Sequence, residues 1–408
     1  MDNIINSILD SPEVSDYADA EESSQQSFLS NEKFAGSVPD LSNEVDANIA
    51  ALLRRSLPKI QMFGVGGAGN NSTARLMRAG VKDVEIVAVN TDAQDLLNTL
   101  AHKKVLIGYQ ITKGFGAGAD PAIGENAARE SSEELKDLVT GDLVFVTAGM
   151  GGGTGTGAAH VVADLAKSKG SLAISICTLP FNMEGPVRRA NAMKGLKKLY
   201  NASDTVIVVP NQRLLSLSPD LSLVKGFKIA DEVLVRAVTA ITELIMHPQM
   251  VNLDFADVKR VIFEGGISLI GLGESKGQSN RAEEAVDDAL NNPLLQDLDL
   301  STAKKALICV AGGEDLTLRD AEKVVDCIRA RIDKEAEIIW GASIGSNFGG
   351  LIRVIVLISD IDSNFEDGLP FVSDGETIAT ALRKPPTGNG GKPPSRGKKK
   401  GLLSLLHL

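Results

Sequence analysis

From Ile60 onward, short apolar runs alternate with amphipathic stretches. The apolar runs at Gln61 to Val65, Val84 to Val89, Val105 to Ile107, Leu143 to Ala148, Leu172 to Leu179 and Thr205 to Val209 are strand-length and rich in β-branched residues. Between them, Asn70 to Arg78, Ala93 to Leu100, Pro121 to Asp137, Ala158 to Ser168 and Val187 to Tyr200 repeat their apolar positions at helical spacing. Strands that alternate with helices across short turns predict a parallel sheet covered on both faces, an α/β fold. A longer helix is predicted over Leu223 to Met246, where Val233, Val235, Val238, Ile241, Leu244 and Ile245 leave little polar face. Such a helix is buried, a spine between domains. Beyond it the pattern predicts strands at Val258 to Gly265, Lys305 to Gly312, Glu337 to Ser343 and Leu351 to Asp360, with helices at Arg281 to Leu290 and Leu318 to Ile332. That is a second, smaller α+β unit.

The ends of the 408-residue chain lack this pattern. Residues 1–42 are rich in Asp, Glu and Ser and read as a disordered acidic tail, in which Ile4, Ile5, Ile8 and Leu9 could also form a short binding helix. Asn43 to Arg54 reads as a short helix leading into the core. Residues 366–400 carry Pro385, Pro386, Pro393, Pro394, many glycines and Lys398-Lys399-Lys400, a flexible basic linker. The last eight residues, 401–408, include Leu402, Leu403, Leu405, Leu406 and Leu408. They can form one apolar helical face for a partner groove, or pack on the chain's own domain.

Composition narrows the function. The net charge of -11 argues against nucleic-acid binding through the body of the protein. Cys177, Cys309 and Cys327 lie far apart without metal or redox spacing, so reduced core thiols are expected. With no signal peptide and no membrane-length apolar run, a cytoplasmic location is expected.

Glycine marks the candidate chemistry. Gly149-Met150-Gly151-Gly152-Gly153-Thr154-Gly155-Thr156-Gly157 lies between a buried strand and a helix, with six glycines in nine positions. Such a run loses much backbone entropy on folding and persists where bare amides must approach a ligand. Its amides and the new helix N-terminus form a phosphate cradle, to which Thr154 and Thr156 add hydroxyls. Gly64-Val65-Gly66-Gly67-Ala68-Gly69-Asn70 occupies the loop position of a dinucleotide-binding fold. Such a fold wants an acid at the end of the second strand, where Asn90 stands and Asp92 is slightly late. Gly114-Phe115-Gly116-Ala117-Gly118-Ala119-Asp120 is a third loop before a helix. Three loops at strand ends of one parallel sheet converge on one crevice. The first suits the α and β phosphates of a nucleotide and the long loop the terminal ones. Neither holds a lysine, so amides, helix dipoles and Mg²⁺ must balance the charge. No loop has the Gly-Lys-Ser or Gly-Lys-Thr of a P-loop.

Taken together, these motifs resemble the tubulin/FtsZ superfamily, and FtsZ in particular. The resemblance rests on Gly151 to Gly157, on Ala88-Val89-Asn90-Thr91-Asp92-Ala93, on Ile111-Thr112-Lys113-Gly114, on Pro210-Asn211 and on Asn252-Leu253-Asp254-Phe255-Ala256-Asp257. These occur in the family's order across roughly residues 60–360. The resemblance implies a GTP-binding domain of Rossmann-like topology at 43–222, a central helix at 223–247 and an α+β domain at 248–365 whose start carries the catalytic loop. It implies that Gly66, Gly67 and Asn70 line the nucleotide, that Ala117, Gly118 and the Gly152, Gly153, Thr154, Gly155, Thr156, Gly157 run contact phosphates, and that Glu184 and Arg188 flank ribose and phosphates. Asn211, Phe227 and Asp231 would hold the base. Asp231 can accept guanine N1–H and the 2-amino N–H, a pair adenine lacks, and Phe227 offers a flat apolar ring. Read alone, Asp231 reads as a solvated helix charge.

Asp254 and Asp257 are three apart and share a face in a helical turn, so they could orient a water or cation, or simply begin a capped helix. The resemblance implies that Asn252, Asp254 and Asp257 enter the nucleotide pocket of the next subunit and act there as catalytic residues. GTP hydrolysis to GDP and phosphate, with Mg²⁺, then switches on in a head-to-tail filament. It further implies a cell-division ring beneath the membrane at mid-cell. Residues 401–408 would meet a membrane-tethering protein such as a SepF-like anchor, of the archaeal type, and a second FtsZ-like protein could share the ring. Two positions depart from the family pattern: Asp120 stands where Asn is usual and His160 where Pro is usual. The first is expected to place negative charge near phosphates unless it helps hold Mg²⁺, and the second to repack one helical turn. A cell-shape or regulatory paralogue is the alternative within the superfamily. A nicotinamide-dependent oxidoreductase, favoured only by the first loop, and a purely structural scaffold are the others.

Overall fold

The computed structural model describes residues 57–214, 223–246, 255–263, 266–277, 280–291, 300–345 and 348–360. The acidic tail, the helix expected at 43–54, the basic linker and the leucine tip lie outside these residues, as do Asn252 and Asp254. In chain order the first half runs β1 (Ile60–Val65), α1 (Gly66–Arg78), β2 (Val84–Asn90), α2 (Ala93–Asn98), β3 (Lys103–Leu106), α3 (Tyr109–Thr112), α4 (Pro121–Glu130), α5 (Ser132–Leu138), β4 (Leu143–Gly149), α6 (Thr154–Ser168), β5 (Leu172–Leu179), α7 (Pro186–Ala202), β6 (Thr205–Pro210) and α8 (Asn211–Leu214). The second half runs α9 (Leu223–Met246), α10 (Phe255–Ile262), β7 (Gly266–Ser275), α11 (Arg281–Leu290), β8 (Lys305–Gly312), α12 (Leu318–Arg329), β9 (Glu337–Ile344) and β10 (Ile352–Ser359).

The strands form one ten-stranded sheet in the order β3-β2-β1-β4-β5-β6-β7-β10-β8-β9. Its first six strands are parallel, and all but the short edge strand β3 are buried along nearly their whole length. The smaller α+β half joins through a short parallel pairing of Thr205 to Ile207 with Gly266 to Ser268. There β10 runs antiparallel to both β7 and β8. Apolar residues on the two sheet faces make two separate cores. One packs Phe63, Val146, Val162 and Leu196 under α4 to α7, and continues under α11 and α12. The other packs Met62, Phe145 and Ile174 under α1, α9 and α10. The central helix α9 carries the bounds its apolar coverage predicts, and Val233, Val238, Ile241 and Leu244 are buried in the second core.

Two expectations are corrected. The strand expected at Val258 to Gly265 is instead the helix α10, and β7 begins at Gly266. Val258, Val261 and Ile262 sit at i, i+3 and i+4 and all are buried, with Lys259 and Arg260 turned outward. That is helical periodicity, obscured by the β-branched residues. The single helix expected over Pro121 to Asp137 divides at Ser131, whose backbone leaves helical geometry at φ -96° and ψ 20°. Its hydroxyl oxygen accepts the Gly108 N–H at 3.1 Å, a tertiary bond outside any local pattern.

Candidate nucleotide site

The carboxyl ends of β1, β4, β5 and β6 open on one crevice of about 270 Å³. Parallel sheets place ligands at this edge, where every strand delivers a loop and every following helix an N-terminus. Val65 to Ala68 form one wall, Gly149 to Gly155 another, and Thr178, Pro180, Glu184, Arg188, Asn211 and Phe227 complete the lining. Gly66 is in the left-handed region at φ +72°, and a Cβ there would lie 2.7 Å from the Gly155 amide nitrogen. The two glycine loops therefore touch, backbone against backbone. The third loop supports them from behind, with Ala117 buried beside Gly153 and Gly118 exposed.

The two threonines divide their work. The Thr154 hydroxyl, in the crevice lining, shares a 2.7 Å hydrogen bond with the Thr91 hydroxyl at the end of β2. The Thr156 hydroxyl oxygen instead accepts the Gly151 N–H at 2.8 Å and is buried. It shapes the loop rather than lining the crevice, and Gly157 lies behind it against α4. At the rim, Arg188 donates to Glu184 at 2.7 Å, and the other Glu184 oxygen accepts the Phe181 N–H at 2.8 Å. Asn211, only 4% exposed, lines the crevice with an Oδ1 that has no hydrogen-bond partner. An unpaired buried carbonyl is costly and fits a ligand that brings an N–H or O–H. Phe227 is 42% exposed and meets Phe181 edge to face at 5.2 Å, so part of its ring remains open to the crevice.

Asp231, one helical turn beyond Phe227, is not a solvated charge. Its carboxylate accepts the Ser72 hydroxyl at 3.2 Å and Arg75 Nε at 3.0 Å. Burial pushes its carboxyl above the ordinary range, while Arg75 pulls the other way. With one donor on each oxygen, lone pairs remain for two further donors. Asn70 is buried on α1 and its Nδ2 donates to Asp95 at 3.2 Å. Neither Asp231 nor Asn70 belongs to the crevice lining itself.

The two departures from the family pattern have local roles. Asp120 caps α4, its Oδ1 accepting the Ala122 N–H at 2.8 Å. His160 is buried in α6 with Nε2 3.5 Å from Glu125, and desolvation pushes its pKa below the usual value. The cysteines are free, and burial raises the Cys177 thiol to about 12.

Of Asn252, Asp254 and Asp257, only Asp257 lies within the described residues. Asp257 lies in the first turn of α10, 39% exposed and 3.8 Å from Arg260, and is absent from the crevice lining. Among the described residues, no group of three or more His, Cys, Asp or Glu is placed to hold a metal ion. No described helix is long and apolar enough to cross a membrane. Sequence reasoning gave no individual role to Val65, Ala68, Gly149, Met150, Thr178 and Pro180 in the lining. The last two were findable, because they lie at the carboxyl end of β5. It also missed Arg75, Ser72 and Asp95, which act through side-chain geometry.

Residues 59–219 match the Tubulin/FtsZ family, GTPase domain, and residues 266–362 the FtsZ family, C-terminal domain. Cell division protein FtsZ 1 of Pyrococcus horikoshii is 47% identical over 347 residues, 84% of this chain and 92% of that protein. The chain belongs to the FtsZ family. A similar relation holds to cell division protein FtsZ 1 of Methanocaldococcus jannaschii, 47% identical over 83% of this chain and 94% of that protein. The solved empty FtsZ dimer of M. jannaschii superposes with a TM-score of 0.73 at 48% identity, covering 78% of this chain and 92% of that chain. The GTPγS-bound protofilament of CetZ2 from Haloferax volcanii is more distant, with a TM-score of 0.63 at 25% identity, covering 74% and 93%. An FtsZ-family chain with a Rossmann-like GTPase half and a smaller α+β half is the fold that the pattern of strands and helices implies.

Proposed function

We propose that this FtsZ-family chain binds GTP in the crevice, polymerises head to tail, and hydrolyses GTP to GDP and phosphate where two subunits meet. One observation carries the reading: the crevice has glycine amides, a rim Glu184–Arg188 pair and the unpaired Asn211 carbonyl, yet Asp257 takes no part in its lining. A cradle whose lining lacks Asp257 reads as half a site. Another copy supplies the other half, so the contact is heterologous and propagates as an open filament.

Gly66, Gly67, Gly152, Gly153, Thr154 and Gly155 present amides and a hydroxyl to the phosphates, backed by Ala117, Gly118, Thr156 and Gly157. Glu184 and Arg188 flank the ribose and phosphates, while Asn211, Phe227 and Asp231 select guanine, with Asn70 beneath. Asn252, Asp254 and Asp257 of the adjoining subunit orient the attacking water and draw on its proton. Mg²⁺ fits as an ion carried by the nucleotide phosphates and water, where it would neutralise charge. Phosphate loss removes ligands from the shared seam and weakens it.

Identity near 47% to proteins named for cell division favours a division role over the alternatives. On this reading residues 43–222 bind GTP, 223–247 form the spine, and 248–365 carry the acidic loop. The leucines of 401–408, on their basic linker, bind a membrane-tethering partner such as a SepF-like anchor and bring the filament to a mid-cell ring. Phosphate release per molecule should rise steeply with protein concentration. Asp254→Ala should bind GTP and form long-lived filaments with most hydrolysis gone. Full turnover by wild-type protein that is demonstrably monomeric sinks the shared-site reading.

A further inference from the structure

We infer that the basic face of α7 is a docking surface for the acidic amino-terminal segment of the same chain, residues 4–22. The helix Pro186–Ala202 carries Arg188, Arg189, Lys194, Lys197 and Lys198 and no acid, in a chain whose net charge is -11. Three of these cations are engaged locally: Arg188 with Glu184, Arg189 with the Asn182 amide oxygen, and Lys198 with Glu125. Lys194 and Lys197 are exposed and have no ion-pair partner among the described residues. Three apart on a helix, they share one face. The acids of α11, on the same side of the sheet, are held elsewhere: Glu283 by Lys323, Glu284 by Ser275 and Asp287 by Arg331.

Beside Lys198 a groove of about 490 Å³ opens between α6 and α7. Val161, Leu165 and Ala202 line it, and its Glu125 is already held by Lys198 and by Arg129 at 2.8 Å. Asp164 is the opposing charge in this lining. An apolar trough flanked by cations meets a segment of complementary order. Ile4, Ile5, Ile8 and Leu9 come first, then Asp10, Glu13, Asp16, Asp19, Glu21 and Glu22 with no cation among them. The tether is long enough. β1 begins at the sheet edge where α7 ends and delivers the chain to β6. In sheet order β1 and β6 are three strand spacings apart, about 14 Å. The 34 residues between Glu22 and Leu57 span about 30–35 Å as a random coil. A segment tethered this way meets its own surface at roughly millimolar effective concentration, so individually weak contacts suffice.

Zero-length carbodiimide coupling of the full chain, read by mass spectrometry of its peptides, tests this. At low salt, Lys194 and Lys197 should couple to carboxylates of residues 10–22 about fivefold more often than the exposed Lys113 and Lys334 do. At about 0.5 M salt, where the screening length is only about 4 Å, that preference should disappear. Lys197→Glu should lower coupling at Lys194 severalfold, with the thermal midpoint unchanged because the side chain it replaces is exposed and unpaired. In a mixture of isotope-labelled and unlabelled chains, the coupled pairs should lie within single molecules. Coupling spread evenly over the exposed lysines, or found only between molecules, would overturn the proposal. So would a Lys197→Glu chain with unchanged tail coupling and reduced sedimentation with phosphatidylserine vesicles, since the face would then belong to a membrane.

Discussion

Two glycines of the long loop should respond to alanine in opposite ways. A Cβ on Gly157 would lie 2.5 Å from the Glu125 amide nitrogen and nearer still to the Pro121 carbonyl oxygen. Both are backbone atoms of α4, so no side chain can rotate aside. The nitrogen contact alone is about 0.9 Å short of an ordinary 3.4 Å separation, which means α4 and α6 must part by that order. Overpacking of this kind costs roughly 1–3 kcal/mol, and more where the backbone must move. With a midpoint shift of about 2–4 °C per kcal/mol for a domain of 150–250 residues, Gly157→Ala should unfold several degrees early. Gly152 has nothing within 4 Å of its Cβ position, no left-handed φ, and a place in the crevice lining. Gly152→Ala should leave the thermal midpoint unchanged or slightly raised, since alanine restricts the unfolded chain by about 0.4–1 kcal/mol relative to glycine. Its methyl group, however, occupies the space assigned to phosphates. Scanning calorimetry paired with nucleotide titration separates the two effects. If Gly152→Ala binds GDP as tightly as wild type, the phosphates lie elsewhere and the assignment of the loop fails. If Gly157→Ala melts at the wild-type temperature, the close approach of α4 and α6 is not a constraint.

Asp231→Asn should abolish the preference for GTP over ITP, which lacks the 2-amino group, because only a carboxylate offers acceptors to both guanine donors; competition binding reads this directly, and a retained preference removes Asp231 from base recognition. Glu125 is held near 2 by Lys198 first and by Arg129, against the opposing push of desolvation. Its folded pKa is below its ordinary 4.5, so its stabilisation is present above pH 4.5 and is lost as pH falls toward 2. Glu125→Gln should flatten that part of the acid limb in denaturant midpoints measured against pH, and an unchanged limb would mean other carboxylates dominate. Asp120→Asn preserves the α4 cap and should leave stability and turnover within error, whereas Asp120→Ala should lose about 1 kcal/mol on chemical denaturation.

The pattern of apolar residues was enough to define the parallel sheet, the buried spine Leu223–Met246 and the helix Arg281–Leu290, because burial forces periodicity directly into the sequence. The glycine loops were legible for a related reason. Residues such as Gly66 and Gly153 are tolerated only where backbones approach closely, so the composition itself records the crevice. Tertiary structure decided what composition could not. Val258, Val261 and Ile262 suit a strand by propensity and form a helix because one face packs on the second core. Thr156 and Thr154 are alike in sequence, yet one hydroxyl turns inward to Gly151 and the other meets Thr91. Asp231 could have been a solvated charge until Arg75 and Ser72, more than 150 residues away in the chain, closed on it. Side-chain partners across such separations leave no periodic trace, because a hydrogen bond depends on position in space, whereas burial depends on the repeat of the backbone.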